Sequence, residues 1–341
     1  MNGNTSYRAA NTALLSIHGI EAPVVVTSAE IDERMAETIK RLKLRPGLLQ
    51  RVAGIDERRW YPEDASLAEA AATAGSKALS EAGVDPDDVG VLINTSITRP
   101  HLEPAVSVQV HDAMALPSSA MNFDITNACL GFVNGLQTAT AMIDAGQVRH
   151  AVVVSAEDSR STIEDTIARL NSSATTKQDY LEQFASLTLG SGAVAAVLGR
   201  AEDHPEGHRV VGGVVRSATQ HHGLCVGKLG RMVADSRGLL EEGVELLGAA
   251  FDEAKEEWGW ATGVARYILH QVSSVHTKAM IQRMGLDRAK TPLTFPFLGN
   301  TGSAALPMTL AREVGSLVPG DRVLCMGVGS GLNTAFCEIR W

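Results

Sequence analysis

Cysteine is scarce in this 341-residue chain, which holds only Cys129, Cys225, Cys325 and Cys337. No two of them form a C-x-x-C pair and no histidine lies at zinc spacing to them, so neither a disulfide framework nor a metal site is indicated. No apolar run reaches the roughly 18 residues of a membrane span. The opening "MNGNTSYRAANTALLSIHG" lacks the basic start and clean apolar stretch of a secretory signal. The expected setting is a reducing cytoplasm with free thiols. Positive charge is also in deficit. A net charge of −9 argues against nucleic acid or an anionic membrane as the main partner. "DERRW" (56–60), Arg149 and Lys228 leave open a local patch for one anionic ligand, but the plainer reading of each is a solvated surface charge. Aromatics make up only 4% of the chain, so packing must rest on Ala, Val, Leu and Ile. The 45% hydrophobic and 20% charged fractions are ordinary for a globular protein. The length suggests two core-forming units or one large one.

What is present is an alternation of strand-like and helix-like runs. "SLAEAAATAGSKALSEAG" (66–83) predicts a helix capped by Ser66, with Glu69 placed for a capping box and Gly83 ending it. "VGVLINTS" (89–96), "MNFDI" (121–125) and "HAVVVSAE" (150–157) predict strands, the last of the kind buried on both faces. "CLGFVNGLQTATAMIDAG" (129–146) predicts a mostly apolar helix, and 158–187 predicts more polar helical excursions. The rhythm recurs with a helix at 239–259, a strand at 265–273, and a strand, glycine turn and strand at 320–339. Matching "VLIN" to "YILH" and "HAVVVS" to "RVLCMG" gives offsets of about 176 and 173 residues. A duplicated β-α-β layout with helices covering mostly parallel sheets follows.

Three junctions between strand and helix carry candidate chemistry. Cys129 follows a strand and a short "TNA" turn at the predicted start of an apolar helix. There, backbone N–H groups and the helix dipole favour thiolate and can hold an oxyanion. Position alone does not separate a nucleophile from small core filler. His270 ends a predicted strand, where functional groups of parallel sheets collect, although a structural histidine also fits; His276, in the next helix, has less to recommend it. Asn300 lies in a glycine-flanked turn before a helix that Pro307 must distort or confine to its first turns. Taken together, a thiol nucleophile and two hydrogen-bond donors meet the needs of acyl transfer through a thioester.

"NACLGF", "LHQVS", "LGNTGSAALP" and "GVGSGLN", in that order along the chain, resemble the active-site signatures of the thiolase superfamily, and most of all its ketoacyl synthase III branch. The resemblance implies an α/β thiolase fold, duplicated as five αβαβα layers, and an obligate homodimer. The expected division is an N-terminal half (1–200) with the nucleophile and a dimer-crossing loop, and a C-terminal half (201–341) with the His and Asn. It also implies that Cys129, His270 and Asn300 are catalytic. Backbone N–H groups of Cys129 and of the glycine loop near Ser330 would form a second oxyanion hole. Two departures stand out. Initiating synthases typically read H-Q-A-N where this chain has His270-Gln271-Val272-Ser273. They also place an apolar residue where "TRPHLEPAVS" (98–107) carries Glu103.

"INTSITRPHLEP", "FDITNACLGFVNG", "GGVVRSAT", "RMVADSRGLL" and "GVGSGLN" resemble the acyl-CoA condensing enzymes of olefin and β-lactone biosynthesis. In that family a glutamate in this segment, lent by the other subunit, is the general base. Glu103, 26 residues before Cys129, takes that role by resemblance. The expected reaction is a non-decarboxylative Claisen condensation of two long-chain acyl-CoAs through a Cys129 thioester. It needs no metal or redox cofactor, uses CoA thioesters as substrates, and hands its product to downstream pathway enzymes. Family position points to Arg51 for CoA. Decarboxylative condensation with a malonyl-carrier protein, acyl transfer to an alcohol or amine, and a partner protein without chemistry are the competing readings.

Overall fold

The chain was analysed as a computed structural model, which describes residues 6–228 and 230–341. The first five residues, part of the stretch read for a secretory signal, lie outside the described residues. Nine strands make the main framework: β1 Thr12–Glu21, β2 Val89–Asn94, β3 Met121–Asp124, β4 His150–Glu157, β5 Gly192–Arg200, β6 His208–Ser217, β7 Arg266–Leu269, β8 Arg322–Gly329 and β9 Asn333–Arg340. They run in the order β7-β8-β9-β6-β1-β5-β4-β2-β3. β1 and β6 touch through only two residue pairs, Ala13 with Arg209 and Leu14 with His208, so the path divides there into two sheets.

The two sheets repeat one pattern. β2 and β4 are parallel, β4 and β5 antiparallel, and β5 and β1 antiparallel. In the same way β7 and β8 are parallel, β8 and β9 antiparallel, and β9 and β6 antiparallel. The offsets found in the sequence relate β2 to β7 and β4 to β8, which occupy equivalent places. β3 adds a parallel strand beside β2 and forms one edge of the first sheet.

Five layers follow from which residues each strand face buries. One face of the first sheet (Val152, Val154, Ala193, Ala195) packs under α1 Leu67–Ala82 and α2 Val106–Ala113. Its other face (Ala151, Val153, Val194, Ala196) shares a core with Ile268, Val323 and Cys325 of the second sheet, across α3 Gly131–Asp144 and α6 Ala305–Glu313. The far face of the second sheet (Leu269, Leu324, Met326) packs under α4 Ser236–Trp258 and α5 Ser274–Met284. The period-2 alternation of small β-branched and Ala side chains serves two cores at once, and each fully buried Val, Leu or Ile contributes about 1.5–3 kcal/mol. The polar stretch after β4 supplies helices Arg160–Leu170 and Lys177–Gln183, which build a separate apolar cap with Ile31, Met35 and Leu49.

The sheets are mixed rather than mostly parallel as expected, since only β2–β3, β2–β4 and β7–β8 of the nine strands pair in parallel, while the expectations for single helices hold with small changes. Ser66 Oγ accepts from Glu69 N–H and Gly83 closes α1 at φ 64°, so the hydroxyl half of the capping box forms. Pro307 is the third residue of α6, where its missing N–H costs no helical bond. Arg58 differs from its reading as a solvated charge. It is fully buried, donating to Ser28 Oγ and Leu187 O, and burial pushes its pKa down to about 10. Arg59 lies between Glu21 and Glu57. Arg149 is exposed near Asp203, and Lys228 is exposed.

Candidate active site

Cys129 lies in the sharp turn between β3 and α3. Ala128 before it takes φ 46°, the left-handed region that residues with a Cβ seldom adopt, and this bends the chain abruptly. α3 begins at Gly131, two residues past the thiol, so Cys129 precedes the helix rather than opening it. The expected thiolate preference is not found. Burial among neighbouring atoms pushes the Cys129 thiol up to about 12, and the Glu157 carboxylate adds to it, then Cys225; the residue's own N–H lowers it only slightly. Desolvation of the charged sulfur outweighs the helix end, whose field decays within about one turn.

The second half of the chain closes over this turn. Ser303 Oγ accepts from Phe132 N–H (3.0 Å) and so satisfies one of the first N–H groups of α3. Gly131 leaves room for that contact, because a Cβ there would stand 2.7 Å from Thr95 O and 3.0 Å from Ser303 Oγ. A Cβ on Gly329, at the end of β8, would stand 3.2 Å from Asn127 O and 3.3 Å from Leu130, and Asn333 Nδ2 donates to Asn127 Oδ1 (3.3 Å). The glycine loop of Ser330 is thereby laid against the Cys129 turn, and the Ser330 side chain bonds the Cys225 thiol.

His270 continues β7, its N–H donating to Met326 O (2.9 Å). Its side chain is 1% exposed and its Nδ1 is buried without a hydrogen-bond partner. Burial pushes its pKa down to about 4, and nearby His276 contributes, so the imidazole is neutral at neutral pH. Gln271 bolts the end of β7 to the segment that leads to Asn300. Its Nε2 donates to Pro292 O (2.9 Å) and its Oε1 accepts from Thr294 N–H (2.9 Å). Ser273 accepts from His276 N–H as the N-cap of α5. That accounts for Ser in place of Asn in the H-Q-A-N pattern, since both residues cap well.

Asn300 is 8% exposed and held on both sides by backbone: its N–H donates to Thr188 O and its O accepts from Gly190 N–H (both 2.9 Å). A Cβ on Gly190 would stand 1.8 Å from Leu298 O, so only glycine permits this approach. Asn300 Oδ1 accepts from Gly302 N–H (3.0 Å), which fixes the amide and turns Nδ2 out as a donor.

Glu103 is elsewhere, at the exposed tip of the 97–105 loop, beside Leu102, which is 81% exposed. The loop is rigidly tied at both ends. Ile97 and Thr98 donate to Glu157 at one end, and Val106 and Ser107 N–H donate to Asp124 at the other. Arg99 pairs with Asp124 and donates to Thr126. Arg51 is exposed in the helical turn Leu49–Ala53, and the next residue's carbonyl accepts from Ser274 Oγ at the start of α5. Sequence reasoning missed Glu157, a carboxylate ending an otherwise apolar buried strand, although that contrast is itself a signal. A cavity of about 510 Å³ along α1 is lined by Glu69, Lys77 and Ala113 and holds none of these residues.

The family described as 3-oxoacyl-[acyl-carrier-protein (ACP)] synthase III matches residues 123–218, and its C-terminal region matches 259–341. The chain is 40% identical to an acyl-CoA:acyl-CoA alkyltransferase of Xanthomonas campestris pv. campestris, over 97% of this chain and 99% of that one. It is 34% identical to the acyl-CoA:acyl-CoA alkyltransferase of Shewanella oneidensis, over 94% and 96%. It is 30% identical to a beta-ketoacyl-[acyl-carrier-protein] synthase III of Streptomyces coelicolor, over 93% of each. Among solved structures, a cysteine-to-serine variant of Xanthomonas campestris OleA with bound lauric acid and lauroyl-CoA superposes with TM-score 0.95 at 39% identity, covering 97% of this chain and 99% of that one. Other OleA crystal structures carry a histidine-to-alanine or a glutamate-to-alanine change. In that enzyme the altered glutamate precedes the altered cysteine by 26 residues.

Proposed function

Because the chain belongs to the 3-oxoacyl-[acyl-carrier-protein] synthase III family, we propose that it condenses two fatty acyl-CoAs, without decarboxylation, to a 2-alkyl-3-ketoacyl product. The observation that carries this reading is Glu103. It stands 26 residues before Cys129, the spacing of the glutamate and cysteine altered in OleA, in a chain 40% identical to an acyl-CoA:acyl-CoA alkyltransferase.

The chemistry runs in two halves. Cys129 attacks the first acyl-CoA; its proton leaves with CoA and the acyl group stays on sulfur. With the thiol held near 12, the proton must depart as the substrate arrives rather than beforehand. Glu103 of the partner subunit then takes an α-proton from the second acyl-CoA. The enolate oxygen accepts hydrogen bonds from the neutral His270 imidazole and Asn300 Nδ2. The carbanion attacks the Cys129 thioester, backbone N–H groups of Cys129 and the Ser330 loop hold the tetrahedral oxyanion, and the sulfur departs. Arg51, an exposed cation, suits the CoA phosphates. No metal or redox cofactor enters these steps.

A homodimer would serve the base assignment. β3 is an edge strand that opens on the exposed Met121, and Leu102 of the Glu103 loop and Val108 of α2 are exposed as well. A second copy placed there would bury the Glu103 tip, and burial is what makes a carboxylate a usable base. The β-keto product, or its hydrolysed acid, would pass to downstream enzymes of olefin or β-lactone formation in the cytoplasm; no described helix is long and apolar enough to cross a membrane.

Glu103→Ala tests the reading. Condensation should be abolished while one acyl group still loads onto Cys129, seen as added mass on the intact protein. A variant that joins two acyl-CoAs at the native rate would refute it.

A further inference from the structure

Glu157 ends β4 with its side chain 4% exposed, yet among the described residues it forms no ion pair. Its charge is met entirely by N–H and O–H donors. Ile97 N–H donates to Oε1 (2.8 Å), while Thr98 N–H (3.0 Å) and Thr98 Oγ1 (2.7 Å) donate to Oε2. Ser303 N–H donates to the same carboxylate. Gly302 packs on it from the other side, where a methyl group would stand 3.4 Å from Cδ, and Gly302 already needs φ 56°. One buried side chain therefore joins the root of the Glu103 loop to the loop that follows Asn300. Only a carboxylate fits four donors; an amide would turn its own N–H groups toward N–H groups.

We propose that Glu157 is a positioning residue that locks the Glu103 loop and the Asn300 loop into one geometry, so that condensation depends on it while loading of Cys129 does not. This rests on the reading of Glu103 as the base. The electrostatics agree with the geometry: apart from burial, Glu157 and Cys225 are the groups that raise the Cys129 thiol.

Glu157→Gln keeps the size and removes the charge, and Thr98→Val removes one bond and keeps the charge. Condensation from a single acyl-CoA should fall about 10- to 100-fold in Glu157→Gln, as expected for a reacting group displaced by roughly 1 Å. Thr98→Val should lose less, in kcat rather than KM. Single-turnover acylation of Cys129, followed by intact mass, should not slow in either. The pH profile of Cys129 alkylation by iodoacetamide should move to lower pH in Glu157→Gln and stay in place in Thr98→Val, a shift that mere loosening of the fold would not produce. If Glu157→Gln does not fold, Thr98→Val decides alone. Condensation within about twofold of native, or acylation and condensation falling together, overturns the proposal. Glu103→Ala separates the two claims. If that variant condenses normally, the base assignment fails; if it is inactive while Glu157→Gln is normal, only the role of Glu157 fails.

Discussion

Gln271 offers the sharpest quantitative test of how the two halves of the site are joined. Replacing it with Ala strips the partner from Thr294 N–H and from Pro292 O, at a place where Gln271 itself is 1% exposed. Each buried backbone group left unpaired costs about 1–3 kcal/mol, so Gln271→Ala should lose about 2–6 kcal/mol, a large part of a typical 5–15 kcal/mol stability. The loss is read as a lower urea midpoint at unchanged slope. Because the same bonds set the path from His270 to Asn300, kcat should fall with it. Gln271→Glu refines the test. The acid keeps the acceptor for Thr294 N–H, and when protonated its O–H can donate to Pro292 O. When ionised it faces that carbonyl with no donor. Its folded-state pKa is therefore raised, and the variant's stability should drop as pH rises above the ordinary glutamate value of about 4.3. Gln271→Ala within about 0.5 kcal/mol of native, with unaltered kcat, would refute the reasoning.

Two further outcomes follow from the desolvated site. With the Cys129 thiol pushed up to about 12, its alkylation by iodoacetamide should climb roughly tenfold per pH unit between about pH 6 and 9; a plateau below pH 8 would show a stabilised thiolate instead. His270 is pushed down to about 4, so between about pH 4 and 6.5 the unfolded chain binds the proton that the folded chain refuses, and stability rises with pH across that window. His276, also lowered by burial, acts in the same direction. Urea midpoints at pH 5 and 7 should draw closer in His270→Asn, which removes a contribution of about 2 kcal/mol across that interval; an unchanged difference would contradict the burial of a neutral imidazole.

Much of this architecture is legible in the chain because its signals are local. Residues 151–154 of "HAVVVSAE" are apolar because both faces of β4 are covered, and the offsets of about 176 and 173 residues survive as equivalent strands. Ser66 and Gly83 declare helix ends through chemistry confined to three or four neighbouring residues. What the sequence conceals is set by distant partners. Arg58 looks like surface charge until Ser28 and Leu187 surround it. Glu157 acquires meaning only when residues 97, 98 and 303 converge on it. The Cys129 thiol is set in the same way by distant partners. Its helix dipole can be read from the pattern, but the desolvation that outweighs the dipole depends on atoms from both halves of the fold.

The most direct test of the central claim is product mass after incubating the protein with one defined long-chain acyl-CoA and no malonyl donor. Non-decarboxylative condensation gives a 2-alkyl-3-ketoacyl product built from two copies of that acyl group, with release of CoA. A new carbon–carbon bond that forms only when malonyl-carrier protein is supplied would contradict it.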